Sequence, residues 1–183
     1  MDRKALTRLS KYLSFVLRHQ PGSIGVAMDG QGWVDVEELI ERSRPRGVQL
    51  TREVIAEIVA TSPKRRFALS EDGRRLRANQ GHSVDVDLAY EPSRPPELLF
   101  HGTAAARLPA IRAEGLKKMG RHHVHLSPDP ATARAVGMRR GQPVVLRIAA
   151  ARMHREGHVF YRSANGVWLV ERVPPEFIDV PGP

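Results

Sequence analysis

Residues 65–80 read RRFALSEDGRRLRANQ. Two short extended pieces, RRFALS and RLRANQ, are joined by Glu71, Asp72 and Gly73, and an Asp-Gly pair between such pieces is a hairpin signal. The segments before this hairpin follow a different period. Leu6, Leu9, Leu13, Val16 and Leu17 fall on one stripe of a helix, which predicts an amphipathic helix over the first twenty residues, stopped by Pro21 and Gly22. VDVEELIERSR, residues 34–44, predicts a second helix with Asp35 as N-cap. LTREVIAEIVATSP, residues 50–63, predicts a third, with Thr51 as N-cap, Ile55, Ile58 and Val59 on one face, and Pro63 as terminator. Three helices followed by a hairpin is the order of a winged-helix module, for which nucleic-acid binding and a purely structural lobe are both open readings.

On the far side of the hairpin, VDVDLAYEPSRPPE, residues 84–97, combines three prolines with acidic residues and predicts a linker. Beyond it strands alternate with short helices. ELLFHGT, HVHLS, PVVLRIAA, HVFYRS and GVWLVERV read as strands, and ARLPAIRAEGL, closed by Gly115, and DPATARAVGM read as helices. The expected fold is α+β, with an N-terminal lobe over 1–83, the linker over 84–97, and a lobe of two small packed sheets over 98–183.

Composition restricts the partners. Twenty-nine Lys and Arg against twenty Asp and Glu give a net charge of +9 and an isoelectric point near 10.7. The excess is spread among apolar residues, as on a folded surface suited to a polyanion. With no cysteine there is no disulfide and no thiolate metal site. The charged N-terminal segment does not read as a signal peptide and no stretch approaches eighteen apolar residues, so the expectation is a cytoplasmic protein without membrane contact.

Several polar clusters carry possible chemistry. RHHVHLS, residues 121–127, reads as an extended segment, which places Arg121, His123, His125 and Ser127 together on one face while His122, Val124 and Leu126 point the other way. Metal, anion or ribose binding and structural histidines all remain open there, although a metal needs a third ligand that no fixed spacing supplies, and Arg121 would repel it. LRHQPG puts Arg18 and His19 at the end of the first helix, where basic residues commonly complement the helix dipole. SPKRRFALS opens a strand with Lys64, Arg65 and Arg66, and a run with six basic and two acidic residues extends to Arg77 and suits phosphates. LRANQGHS groups amide, imidazole and hydroxyl donors around a glycine, and FHGT puts a histidine and a glycine at a strand end. Neither a Rossmann nor a P-loop glycine pattern occurs.

In this order LSKYLSFVLRHQP, GWVDVEELI, KRRFALS, LRANQGHS, LFHGT, RHHVHLS and FYRSANGVWLVERVP resemble the successive signatures of the RNA 2′-phosphotransferases, the KptA/Tpt family, over about residues 8–175. The resemblance implies a winged-helix lobe joined to an ADP-ribosyltransferase-like lobe. It implies a monomeric enzyme that takes an internal 2′-phosphate from RNA, such as a spliced tRNA, to NAD⁺ without a metal, through an RNA-phospho-ADP-ribose intermediate. By motif, the catalytic group falls on Arg18, His19, Arg66 and Arg121, with Arg66 preferred to Arg65 because it directly precedes the Phe of the family's RF pair. The resemblance assigns His101, Gly102, Thr103, His125 and Ser127 to the NAD⁺ pocket and Gln80, His82 and Ser83 to further contacts with dinucleotide or RNA. Lys64, Arg65, Arg74 and Arg75 are the expected RNA-binding residues. Val167 or its neighbour stands where protein-modifying relatives keep a glutamate, and Glu171 is the nearest carboxylate. Two rival readings stay open: ADP-ribosylation of terminal phosphates of RNA or DNA, and a non-catalytic winged-helix nucleic-acid binder.

Overall fold

The computed structural model describes residues 2–180, the side chain of Arg140 excepted. The chain divides into two compact units, Met1–Ala89 and Tyr90–Pro183. Residues read as linker are therefore shared between them: the Asp87 N–H donates to the Gly30 carbonyl in the first unit, and the Ser93 N–H donates to the Phe160 carbonyl in the second. No helix among the described residues is long and apolar enough to cross a membrane.

The N-terminal unit holds helices α1 (Arg3–Arg18), α2 (Val36–Ser43) and α3 (Arg52–Thr61), and strands β1 (Val34–Asp35), β2 (Phe67–Leu69) and β3 (Arg75–Ala78). The leucine stripe of α1 is buried as its spacing requires, with Leu13, Val16 and Leu17 fully withdrawn from water. These residues pack on Leu39, Ile55, Phe67 and Leu76 in a core confined to this unit. Both anticipated N-caps form: the Asp35 carboxylate accepts the Glu38 N–H at 3.0 Å, and the Thr51 hydroxyl oxygen accepts the Val54 N–H at 3.3 Å. The hairpin forms with Phe67 opposite Ala78 and Leu69 opposite Leu76. The second helix starts at Val36, directly after its Asp35 cap, and the two residues before it are not helical. Val34 and Asp35 are instead strand β1, paired with Leu76 and Arg75, which makes an antiparallel sheet in the order β1-β3-β2. Val34 is 1% exposed, so burial against the hairpin overrides its place in a helical run.

The C-terminal unit contains β4 (Leu99–Ala104), α4 (Leu108–Glu114), β5 (Leu116–Lys117), β6 (Val124–Leu126), α5 (Pro130–Gly137), β7 (Pro143–Ile148), α6 (Ala150–Arg155), β8 (Phe160–Arg162), β9 (Trp168–Val170), β10 (Arg172–Val173) and β11 (Ile178–Asp179). Its sheets, all antiparallel, run β11-β7-β4, β6-β9-β8 and β10-β5, so a two-stranded ribbon joins the two sheets expected. Leu99, Leu146 and Ile148 of the first sheet share one core with Val124, Leu126, Phe160 and Val170 of the second. The two sheets also touch through a bridge at Phe100 and Ser127, whose N–H groups donate to each other's carbonyls at 2.9 and 2.7 Å.

The outer face of β4 carries α5. The Asp129 carboxylate caps this helix by accepting the Thr132 N–H at 2.7 Å, and the helix lies so close that a β-carbon on Gly102 would sit 1.6 Å from the Ala133 carbonyl oxygen. A β-carbon on Gly137 would likewise come within 2.8 Å of the Thr103 oxygen. Two glycines facing each other thus set the helix-to-strand spacing. Gly102→Ala is expected to push α5 off β4 and lower stability by about 3 kcal/mol; a thermal unfolding midpoint equal to wild type would contradict this close fit.

Candidate active site

In the N-terminal unit the site begins at the end of α1. A helix leaves its last carbonyls without helical donors. Here the Arg18 carbonyl accepts the Ser83 N–H at 2.8 Å and the Val84 N–H at 3.4 Å, from the segment that follows β3. The same segment holds the flanking side chains. The His19 Nδ1 and the Ser83 hydroxyl are 2.9 Å apart. Gly81, at φ +86°, runs alongside the Arg18 guanidinium so closely that a β-carbon would lie 3.7 Å from Nη1.

Arg66 enters from the other side of the same unit. The chain turns at Arg65, whose φ of +41° is in the left-handed region, and the Asn79 side-chain N–H donates to the Arg65 carbonyl at 2.6 Å while the Asn79 main-chain N–H donates to the Arg66 carbonyl at 2.9 Å. Arg66 and His19 then line one cleft of about 700 Å³ between α1 and α3; Arg65 does not line it and is exposed.

In the C-terminal unit the site is a wall built on β4 and β6. The Phe100–Ser127 bridge is their one paired point, and beyond it β4 pairs with β7 while β6 pairs with β9. Because alternate residues of an antiparallel strand direct their N–H and C=O groups to the same side, those of Gly102 are directed like those of Phe100, toward the gap that opens between the strands. The missing β-carbon of Gly102 serves the packing of α5, and its main chain faces the gap. His101 spans part of that gap, donating from Nδ1–H to the His125 carbonyl at 3.0 Å. Arg121 donates from Nη1 to His125 Nδ1 at 3.2 Å, so the His125 ring is neutral there and carries its proton on Nε2.

The strand alternation anticipated for RHHVHLS holds only in part. Residues 121–123 are a bend, and β6 spans Val124–Leu126. Arg121 reaches His125 from that bend, whereas His123 leaves the group and stands edge-to-face on Tyr161 at 5.5 Å. Two other anticipated contacts are packed away: Thr103 is 6% exposed, and His82 is 2% exposed, near Gly32. Gln80 is half-buried. Lys64, Arg65, Arg74 and Arg75 are all exposed, and Arg75 also faces Asp29 at 3.7 Å and the Trp33 ring. Ser127 contributes its main chain to the bridge. Glu171 is 79% exposed and paired with Lys118, and Val167 closes the β8–β9 turn on Ser163. Sequence reading passed over Asn79, whose signal was an amide next to the buried Ala78 at the end of a strand. Among the described residues no three His, Cys, Asp or Glu side chains group as a metal site.

Comparison of the sequence with known proteins finds relatives along its length. Residues 4–172 match the family described as RNA 2′-phosphotransferase, Tpt1 / KptA family. The chain is 56% identical to a probable RNA 2′-phosphotransferase of Rhodopirellula baltica, over 97% of each chain. It is 52% identical to one of Streptomyces coelicolor over the whole of both chains, and 51% identical to one of Nostoc punctiforme over 97% of this chain and 98% of that one.

His123 is partly buried against Tyr161 with basic neighbours. Burial, with the nearby His122 and Lys118 charges, holds its imidazole below the ordinary value of 6.5, against a weaker opposing pull from Glu171. The unfolded chain therefore binds this proton more readily than the folded one, so the stability contributed by neutral His123 is complete above pH 6.5 and declines as pH falls below it. His123→Phe, which keeps a ring against Tyr161, is expected to flatten the fall in unfolding midpoint between about pH 6.5 and 5; an unchanged slope would mean that other groups set it.

Proposed function

We propose that this chain, which belongs to the RNA 2′-phosphotransferase (Tpt1 / KptA) family, removes an internal 2′-phosphate from RNA by transfer to NAD⁺. The observation that carries this reading is the cleft in which His19 and Arg66 stand together, with Arg18 held at the same helix end. A phosphate dianion needs such a set of fixed donors, because its charge increases as phosphorus becomes five-coordinate. Arginine suits the role, since its planar fork holds two oxygens and keeps its charge when partly dry. Arg121, oriented by His125, is the fourth member.

The N-terminal unit, in the order helix, strand, helix, helix, strand, strand, is read as a winged-helix RNA-binding lobe, and the C-terminal unit as an ADP-ribosyltransferase-like lobe. NAD⁺ is a co-substrate. Its carboxamide both donates and accepts, which matches a main-chain N–H and C=O directed to one side at Gly102, and His101 and His125 border that gap. In the first step an oxygen of the RNA 2′-phosphate bonds to the ribose carbon bearing nicotinamide, and the bond to nicotinamide breaks. In the second the adjacent ribose 2″-hydroxyl bonds to phosphorus and the bond to the RNA 2′-oxygen breaks. That oxygen takes up a proton, leaving ADP-ribose 1″,2″-cyclic phosphate and RNA with a free 2′-hydroxyl. The exposure of Glu171 and its engagement with Lys118 fit an acceptor that is already an anion and needs no carboxylate base.

RNA carrying an internal 2′-phosphate, incubated with NAD⁺, is expected to lose that phosphate and release nicotinamide and the cyclic product. A stable ADP-ribosylated RNA would favour transfer to phosphate without the second step, and no nicotinamide release would favour a binding protein. Arg18→Ala and Arg121→Ala are each expected to lose on the order of 2–4 kcal/mol of transition-state stabilisation, at least tens-fold in kcat/KM. Arg121→Lys should recover little, because a point charge does not replace the fork.

A further inference from the structure

The α1–α3 cleft extends well past His19 and Arg66. Its other lining residues include Arg3, Lys11, Ser14 and Phe15 from α1, and no Asp or Glu is among them. A volume of about 700 Å³ is far more than one phosphate group fills and falls in the range of sites that hold whole organic ligands. Phe15 is 49% exposed, the one Phe, Tyr or Trp among the described residues that is exposed. It neighbours the buried stripe of Leu13, Val16 and Leu17 without joining it, so its ring covers cleft surface instead of filling the core. Lys11 stands one helical turn before it, on the same side of α1. The Ser62 hydroxyl, at the end of α3, also lines the cleft, with its oxygen buried and no hydrogen-bond partner among the described residues.

An acid-free basic groove with a bare aromatic ring is the composition of a single-strand platform, where bases stack on the ring and cations follow the backbone. We propose that the α1–α3 cleft holds a nucleotide flanking the phosphorylated ribose of an RNA strand, its base stacked on Phe15 and its phosphate met by Lys11. The inference rests on the phosphotransferase reading for the identity of the neighbouring phosphate. The cleft then makes the enzyme a reader of unpaired RNA, because a base inside a duplex has no open face for Phe15.

The test compares two substrates, a nucleoside 2′-phosphate, which has no flanking nucleotide, and a single-stranded hexanucleotide with an internal 2′-phosphate, in wild type, Phe15→Ala, Phe15→Tyr and Lys11→Glu. Wild type is expected to favour the hexanucleotide in kcat/KM. Phe15→Ala should lose about tenfold or more on the hexanucleotide, in KM before kcat, and change little on the nucleoside 2′-phosphate. Phe15→Tyr should restore the preference, and Lys11→Glu should lose it. Equal effects on both substrates, or none on either, overturn the proposal. If wild type transfers no phosphate from either substrate, the phosphotransferase reading fails by itself, and fluorescence anisotropy with the plain hexanucleotide decides the cleft: unaltered affinity in both Phe15→Ala and Lys11→Glu then overturns it.

Discussion

The carbonyl at the end of α1 is the group on which the candidate residues of the N-terminal unit depend. A terminal helix carbonyl must be satisfied by something, and here the donors are the main-chain N–H groups of Ser83 and Val84, from the segment after β3. That one acceptor ties the segment after β3 to the helix. Gly81 is thereby laid along Arg18, and the Ser83 hydroxyl is set beside His19. Arginine and histidine at a helix end would otherwise be ordinary complements of the dipole. Anchored in this way they lose conformational freedom before any ligand arrives, which is the condition for a phosphate grip to favour a transition state.

Where the sequence was legible, one local rule dominated. The leucine stripe of α1, the caps Asp35 and Thr51, and the turn after Ser70 all followed from spacing and side-chain type. The rest depended on contacts between distant residues. Val34 and Asp35 stand before a good helical run, and only the presence of Leu76 and Arg75 opposite makes them a strand. RHHVHLS looks like an alternating strand, yet the chain bends through residues 121–123 and His123 goes to Tyr161. Strands β5, β10 and β11 are two residues each, too short for periodicity to register.

The candidate site shows the same division. Basic and polar clusters stood out by residue type, and roles for their residues came from the family resemblance. Access was not legible: nothing local distinguishes the buried His82 from the exposed His19, since burial is decided by what packs from elsewhere. Gly102 is the clearest case. In the sequence it is a glycine between histidine and threonine at a strand end, and the structure adds a helix carbonyl against it and a main chain directed to the gap beside β6. The same glycine thus answers to two constraints, and neither is visible without the other strand and helix.

The two imidazoles of the C-terminal wall are locked in opposite senses. His101 donates its Nδ1–H to a carbonyl, so in its neutral form its Nε2 can only accept; His125 Nδ1 accepts a hydrogen bond from Arg121, so in its neutral form its Nε2 can only donate. Two histidines of one wall thus differ in hydrogen-bonding sense, one ring left an acceptor and the other a donor, and the difference comes from a carbonyl in one case and an arginine in the other.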